Sequence, residues 1–253
     1  EMQRSLVGSE MCIRDRAHET EPQETDGFAR PYPIQTNIVT IHKKCYNPFQ
    51  KNKIKILKNT TIRRHKKMSK KVYIFLADGF EDIEGLTVVD LLRRAGIDIK
   101  TVSIKETTRI QTSHGITMLT DAIFAETNFA DADMLVLPGG MPGTKYLAGY
   151  KPLIDLLTDF NNKGKKIAAI CAAPSVFSGL GFLKGRKATS YPSFMEVLSK
   201  DGAVTSEDSV VVDGNITTSR GLGTAVDFAL SLISQLENEE KAKEIAESVV
   251  YTR

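Results

Sequence analysis

Short apolar runs alternate with stretches of helical periodicity along most of the chain after residue 70. The run Val72 to Ala77 (VYIFLA) is followed by a helix-like apolar pattern that ends at Arg93-Arg94-Ala95-Gly96, and an apolar stretch resumes at 97–104. Cations in a last helical turn, with glycine after it, are typical of a helix C-terminus. The pattern predicts a strand–helix–strand unit with parallel strands and a right-handed crossover.

Two later apolar runs predict further buried strands of the same sheet. Met134 to Leu137 and Lys166 to Ile170 are short and do not alternate, as expected of strands that are covered on both faces. A helical pattern at about 152–161 lies between them. We therefore predict a three-layer α/β sandwich, with a mostly parallel sheet between two layers of helices.

Alternation with glycine turns marks two other regions. Residues 109–122, with His114-Gly115, and residues 204–218, with Asp213-Gly214, predict hairpins or edge strands. Amphipathic helices are predicted at 221–236 and 241–249.

The first 67 residues differ from the rest in pattern and in charge. They hold 14 basic and 7 acidic residues, against 20 and 24 in the remainder. We predict a disordered basic extension at 1–67 and a folded domain at 68–253. Because Ser5 to Arg16 (SLVGSEMCIRDR) resembles a translated sequencing-adapter artefact, we expect Met68 to be the natural start. A targeting segment and a nucleic-acid-binding arm are the alternatives, and we assign the extension no functional role.

The chain has no apolar run of the roughly 18 residues that a membrane span needs, so we expect no membrane partner. Of its three cysteines, Cys12 and Cys45 fall in the extension, and Cys171 is alone in the predicted domain. A domain without a disulfide framework indicates a reducing, cytoplasmic location.

In an open parallel sheet, ligand-binding and catalytic residues lie just after the carboxyl ends of the strands. Cys171 directly follows a predicted strand, at an abrupt turn among small residues. Two interpretations of Cys171 have about equal weight. A thiol at a helix N-terminus has a lowered pKa and acts as a nucleophile. Alternatively, the side chain fills core space beside alanines.

Glu84 follows the first strand and is expected to face the same cleft. A buried carboxyl group there would be protonated, would donate a hydrogen bond to a thiolate and would transfer protons. For Glu81 and Asp82 we prefer a purely structural role at the helix N-terminus.

The amides of Gly139, Gly140 and Ala172 are candidates for an oxyanion pocket, although a Pro-Gly-Gly sequence is usually only a turn.

His114, in a predicted hairpin, and Tyr191 are possible auxiliary residues, although a solvated loop histidine and a packed tyrosine are common alternatives. We find neither a dinucleotide-binding fingerprint nor a metal-ligand cluster, and we therefore expect no cofactor and no metal.

Four motifs, in this order and spacing, resemble the ThiJ/PfpI family, in the branch of the parkinsonism-associated deglycase: Phe80-Glu81-Asp82-Ile83-Glu84, Leu137-Pro138-Gly139-Gly140, Ala169-Ile170-Cys171-Ala172-Ala173-Pro174 and Thr218-Ser219-Arg220-Gly221. The match spans residues 70–250. The resemblance implies a flavodoxin-like sheet with a nucleophile elbow, similar to that of class I glutamine amidotransferases, and a homodimer.

The resemblance also implies roles for single residues. Cys171 matches the oxidisable nucleophile and Glu84 its protonated partner, while Gly140 and Ala172 match backbone positions that line the pocket. Three further positions match charged residues near the site and the dimer interface: Asp90, Arg94 and Arg220.

The sequence departs from the family pattern at two positions. Tyr191 stands where several members have histidine, and His114 stands where arginine is common, so a Cys–His dyad is not supported. The intracellular-peptidase branch has histidine directly after its cysteine, where this chain has Ala172, and we do not expect peptidase activity.

The activity implied is that of a glutathione-independent glyoxalase or deglycase, which acts on small reactive aldehydes or early glycated adducts. The alternative is a redox sensor or chaperone in which Cys171 is oxidised to sulfinate. Nucleic acid is not an expected partner.

Overall fold

The computed structural model describes residues 69–252, which belong to one compact unit. The predicted extension, with Cys12 and Cys45, lies outside the described residues, and so does Met68, the expected natural start. Eleven strands are present in this part of the chain: β1 Lys71–Leu76, β2 Asp98–Ser103, β3 Arg109–Gln111, β4 Thr117–Leu119, β5 Ala122–Ile123, β6 Met134–Leu137, β7 Lys166–Ile170, β8 Lys187–Ala188, β9 Val204–Thr205, β10 Val210–Asp213 and β11 Ile216–Ser219.

Seven strands form the central sheet, in the order β10-β11-β7-β6-β1-β2-β5. All neighbours pair in parallel except β10 and β11, which form an antiparallel hairpin at one edge. β3 and β4 form a separate hairpin. The predicted mostly parallel α/β sandwich and both predicted hairpin regions are therefore confirmed.

Helices cover both faces of the sheet, because alternate residues of each buried strand point to opposite sides. The bounds of the helices are α1 Asp82–Arg94, α2 Gly143–Gly149, α3 Lys151–Asn162, α4 Pro174–Gly179, α5 Met195–Lys200, α6 Ala225–Leu236 and α7 Glu239–Ser248. Ile74 of β1 belongs to the core that includes α1, α6 and α7, whereas Phe75 belongs to the core that includes α2, α3, α4 and α5.

One predicted helix boundary was wrong. The helix expected from residue 221 begins at Ala225, after a single 3₁₀ turn at Leu222–Thr224. Gly221 itself is extended, with φ 162° and ψ −166°. The Thr224 hydroxyl binds both the amide and the carbonyl of Gly221, and these bonds stabilise the non-helical segment.

The carboxyl ends of β1, β6, β7 and β11 lie at one edge of the sheet, since these strands are parallel neighbours. The segments that follow them begin at Ala77, Pro138, Cys171 and Arg220. Among the described residues no helix is long and apolar enough to cross a membrane.

Candidate active site

Cys171 directly follows β7 and has a left-handed backbone conformation, with φ of 64°. This conformation is unfavourable for a residue with a side chain, by about 1–3 kcal/mol, and it persists only where surrounding contacts enforce it. The Cys171 amide donates to Ser219 O (3.0 Å), and its carbonyl accepts from Tyr191 N (2.8 Å) and Ser190 Oγ (2.6 Å). The turn therefore has the strained geometry of a nucleophile elbow.

Glu84 lies in the first turn of α1 and is only 1% exposed. The helix begins there because the Glu81 carboxylate caps it, accepting from Glu84 N at 2.7 Å. The Glu84 carboxyl group accepts a hydrogen bond from Gly139 N at 3.0 Å, and the Leu222 amide and the Cys171 thiol also bind it. The sulfur and the carboxyl group thus form a hydrogen-bonded pair.

Burial raises the pKa of Glu84 from 4.5 to about 7, and repulsion from Glu81 acts in the same direction. Hydrogen bonds from the Cys171 thiol and from two amides oppose this rise. The direction agrees with our expectation for a carboxyl group that is excluded from water.

The expected lowering of the Cys171 pKa was wrong. Burial, and then the Glu84 carboxylate, raise the pKa of the thiol to about 12. The amides of Ala172 and Gly140 lower it, but they do not compensate. The helix contributes little because α4 begins only at Pro174 and has six residues. The pair therefore loses one proton, that of the carboxyl group, near pH 7, and the sulfur keeps the other well above neutral pH.

Gly139 lies where β6 passes closest to the pair. A Cβ at this position would come within 2.5 Å of both Cys171 Cβ and Glu84 Oε2, so only glycine fits. Its amide donates to Glu84 and is not free for a substrate oxygen, which corrects its assignment to the oxyanion pocket. Gly140 and Ala172 keep that assignment as a prediction, since their amides point to the sulfur.

Comparison with known proteins shows the family of this chain. The DJ-1/PfpI family matches residues 70–235. The chain belongs to the DJ-1/PfpI family. Protein dj-1beta of Drosophila melanogaster is 37% identical over 183 residues, which cover 72% of this chain and 98% of that protein.

Other members of the DJ-1/PfpI family are longer. Protein DJ-1 homolog A of Arabidopsis thaliana is 39% identical over 179 residues, or 70% of this chain. The chain spans only 46% of that protein's length and 42% of the length of Protein DJ-1 homolog B.

Solved structures of the DJ-1/PfpI family superimpose on the described fold. Oxidized Toxoplasma gondii DJ-1 aligns with a TM-score of 0.70 at 36% identity, covering 73% of this chain and all of that one. Drosophila melanogaster DJ-1beta has the same TM-score and identity, over 74% of this chain and all of that one.

Sequence reasoning missed two residues of the segment that follows β11. Leu222 contributes an amide to Glu84, and Gly221 faces both Cys171 and Glu84. Two features of the sequence could have identified these residues. The segment carries one of the DJ-1/PfpI motifs, and it follows a strand that ends at the edge of the site. Tyr191, which sequence reasoning included, lies beside Gly221 and is 48% exposed.

His114 does not contact the thiol–carboxyl pair. Its Nδ1 lies 2.5 Å from Asp82 Oδ2, and this contact raises the pKa of His114. Glu81, Asp82 and His114 place potential ligand atoms within 4.8 Å of one another. We nevertheless assign this group to the start of α1, because Glu81 caps the helix and Asp82 binds His114.

Three charged residues that the resemblance placed near the site and the dimer interface have polar partners of their own. Asp90 and Arg94 form an ion pair of 2.7 Å on the exposed side of α1. Arg94 lies ten residues beyond Glu84, or about 15 Å along a helix axis. Arg220 donates to Glu207 O at 3.0 Å. None of these contacts involves the sulfur or Glu84, and the roles of the three residues near the site and the dimer interface stay predictions.

Proposed function

We propose that this protein is a cysteine-dependent, glutathione-independent glyoxalase that acts on methylglyoxal or glyoxal, with removal of early glycated adducts as the related activity. One observation carries the proposal: a strained, partly accessible cysteine shares a buried hydrogen bond with a carboxyl group whose pKa is raised to about 7. Such a pair suits covalent attack on an aldehyde, which needs a nucleophile and a group that moves protons.

In the first step, Cys171 Sγ attacks the aldehyde carbon of methylglyoxal. The thiol proton passes to Glu84, which donates it to the aldehyde oxygen, so that this oxygen becomes the hydroxyl of a hemithioacetal and Glu84 is ionised again. The amides of Gly140 and Ala172, which point to the sulfur, support the negative charge that develops on this oxygen.

In the second step, Glu84 moves the proton from the former aldehyde carbon to the neighbouring carbonyl carbon by way of an enediol. The first carbon is thereby oxidised to a thioester, and the second is reduced to an alcohol, so no external oxidant is needed. Water then cleaves the thioester, releases lactate and restores the thiol. A carboxyl group with a pKa near the working pH can both accept and donate this proton.

The test is lactate formation from methylglyoxal by wild type and Cys171→Ala, measured by NMR. We expect turnover in the wild type and none in Cys171→Ala, while Cys12→Ala and Cys45→Ala serve as matched controls and retain activity. Equal turnover by wild type and Cys171→Ala would reject the proposal.

A second candidate function is sensing of oxidants through sulfinate formation at Cys171. It is favoured by the partial accessibility of the thiol and by a relative, at 36% identity, that is described in its oxidized form. Mild peroxide is expected to add two oxygen atoms to the wild type and none to Cys171→Ala, as measured by intact mass. Absence of selective addition at Cys171 would exclude this role.

A homodimer and a cytoplasmic location remain predictions. Sedimentation of the purified protein tests the homodimer, because the measured mass should be twice that of one chain at concentrations well above the dissociation constant. Imaging of the tagged protein in its host cell tests the second.

A further inference from the structure

Two glycines face the thiol–carboxyl pair from different sides, and their surroundings differ. At Gly139 a Cβ would lie 2.5 Å from Cys171 Cβ and from Glu84 Oε2, so that side is closed. At Gly221 a Cβ would lie 3.9 Å from Cys171 Sγ, 3.7 Å from Glu84 Oε1 and 3.5 Å from Tyr191 Cδ2. These are ordinary van der Waals distances, and the Gly221 side is therefore open to a group of about the size of a methyl.

This open position coincides with the place that a reacting carbon must occupy. An electrophilic carbon approaches a nucleophile to about 3–3.5 Å before the bond forms. The same carbon must also lie near Glu84, which carries its proton. The missing Cβ of Gly221 is nearly equidistant from Cys171 Sγ and Glu84 Oε1, at 3.9 and 3.7 Å. A side chain at Gly221 and an aldehyde carbon would therefore compete for one place.

The backbone of Gly221 does not itself require glycine. Its φ of 162° and ψ of −166° are extended, a conformation that any residue adopts. Thr224 fixes the segment, since Thr224 Oγ1 accepts from Gly221 N at 3.1 Å and donates to Gly221 O at 2.9 Å. Neither conformation nor packing thus explains the absence of a side chain, whereas access to the sulfur does.

We propose that Gly221 is a specificity-determining residue whose bare Cα forms the seat of the reacting carbonyl group and limits the site to slim electrophiles. The inference rests on the proposed function and names its substrate class. Free aldehydes, which carry only hydrogen and oxygen beside one substituent on the attacked carbon, fit the seat. Ketones, with two carbon substituents on that carbon, do not.

The test compares Gly221→Ala with Gly223→Ala, a matched control two residues further along the same segment, where a Cβ would meet nothing within 4 Å. Two rates are measured for each protein: alkylation of Cys171 by iodoacetamide and its oxidation by hydrogen peroxide. Both reactions need an activated sulfur, but only the first brings a carbon centre with substituents to it.

We expect Gly221→Ala to slow alkylation by about tenfold or more, the range that one added methyl group produces in a tight site. Oxidation by peroxide should stay close to the wild-type rate, and Gly223→Ala should match the wild type in both reactions. Unchanged alkylation in Gly221→Ala, an equal fall in both of its rates, or the same fall in Gly223→Ala would overturn the proposal.

A measurement on the wild type keeps the proposal testable even where Gly221→Ala folds poorly. Relative to a free cysteine peptide, the protein should discriminate against the bulky N-ethylmaleimide and in favour of iodoacetamide. Equal reactivity ratios for protein and peptide would contradict a narrow seat. These rates do not depend on lactate formation, so a failure of the glyoxalase proposal and a failure of this one are distinguishable.

Discussion

Two carboxyl groups in the first turn of α1 have opposite charge behaviour, although both are excluded from solvent. Asp82 is 5% exposed and Glu84 is 1% exposed. The pKa of Asp82 is lowered from its ordinary value, whereas that of Glu84 is raised to about 7. Two positions along one helix thus separate a side chain that is ionised at neutral pH from one that titrates near it.

The partners of the two groups explain the difference. Burial acts to raise the pKa of Asp82, but hydrogen bonds from Thr112 and His114, together with the charge of the imidazole, lower it further than burial raises it. Glu84 has only neutral donors around it, and the nearby Glu81 carboxylate repels its charge. Burial alone therefore does not determine the charge state of an acid. The charge of the neighbouring group, which the fold supplies, decides between the two states.

The largest expected effect is that of Glu84→Gln on catalysis. Removing a group that transfers protons should lower the turnover of methylglyoxal by about 10²–10⁴-fold. The midpoint of Cys171 alkylation should also move. In the wild type it lies far above the ordinary value of about 8.5, because burial and the Glu84 carboxylate raise the pKa of the thiol to about 12. In Glu84→Gln it should fall, because burial remains but the carboxylate is gone.

Asp82→Asn is the matched control for this experiment, since it removes the other acid of the same helical turn without touching the pair. Its alkylation midpoint should stay near that of the wild type. A midpoint that does not change in Glu84→Gln, or that moves equally in Asp82→Asn, would show that the comparison between the two acids is mistaken.

The next effect concerns stability and pH. Because the folded state raises the pKa of Glu84 from 4.5 to about 7, the folded protein binds the proton more tightly than the unfolded chain does. The resulting stabilisation is complete below about pH 4.5 and is lost as the pH rises through 7, a change on the order of 3 kcal/mol. The amide that replaces the carboxyl group in Glu84→Gln does not titrate, so this variant should gain stability relative to the wild type between pH 5 and 8, as measured by urea unfolding. A difference that stays constant across this range would refute the assignment.

The smallest effect is expected at His114. Its pKa is raised by the Asp82 carboxylate, so its stabilising contribution is full below about pH 6.5 and disappears as the pH rises through the raised value. The melting temperature of His114→Gln should therefore fall below that of the wild type at pH 5.5 and approach it at pH 8.5. In an Asp82→Asn background the same substitution should show no such pH dependence; if the dependence persists there, Asp82 is not its cause.

The sheet and its helices were predictable because their signals are local. Val72 to Ala77 lacks polar alternation, Gly96 follows a helix with cations in its last turn, and Asp213-Gly214 marks a hairpin. Each of these features fixes a backbone conformation within a few residues. The start of α6 was missed because the hydroxyl of Thr224, and not an apolar pattern, holds Gly221 out of the helix.

The candidate site was predictable in its position but not in its electrostatics. The sequence placed Cys171 and Glu84 after parallel strands, and such residues must meet at one edge of a sheet. It did not indicate that α4 would begin three residues after Cys171, nor that Gly139 would give its amide to Glu84. Both outcomes depend on distances between segments that are far apart in the chain.

The amino-acid sequence by itself determined the α/β architecture, the edge of the sheet at which the candidate site lies, and the identity of the candidate thiol and acid. Only the tertiary structure decided how the proton is distributed, which amides remain free and which side of the sulfur is open. The reason is physical: hydrophobic period and turn residues act over a few neighbouring positions, whereas a pKa or an open space depends on every atom within a few ångströms, whichever segment supplies it.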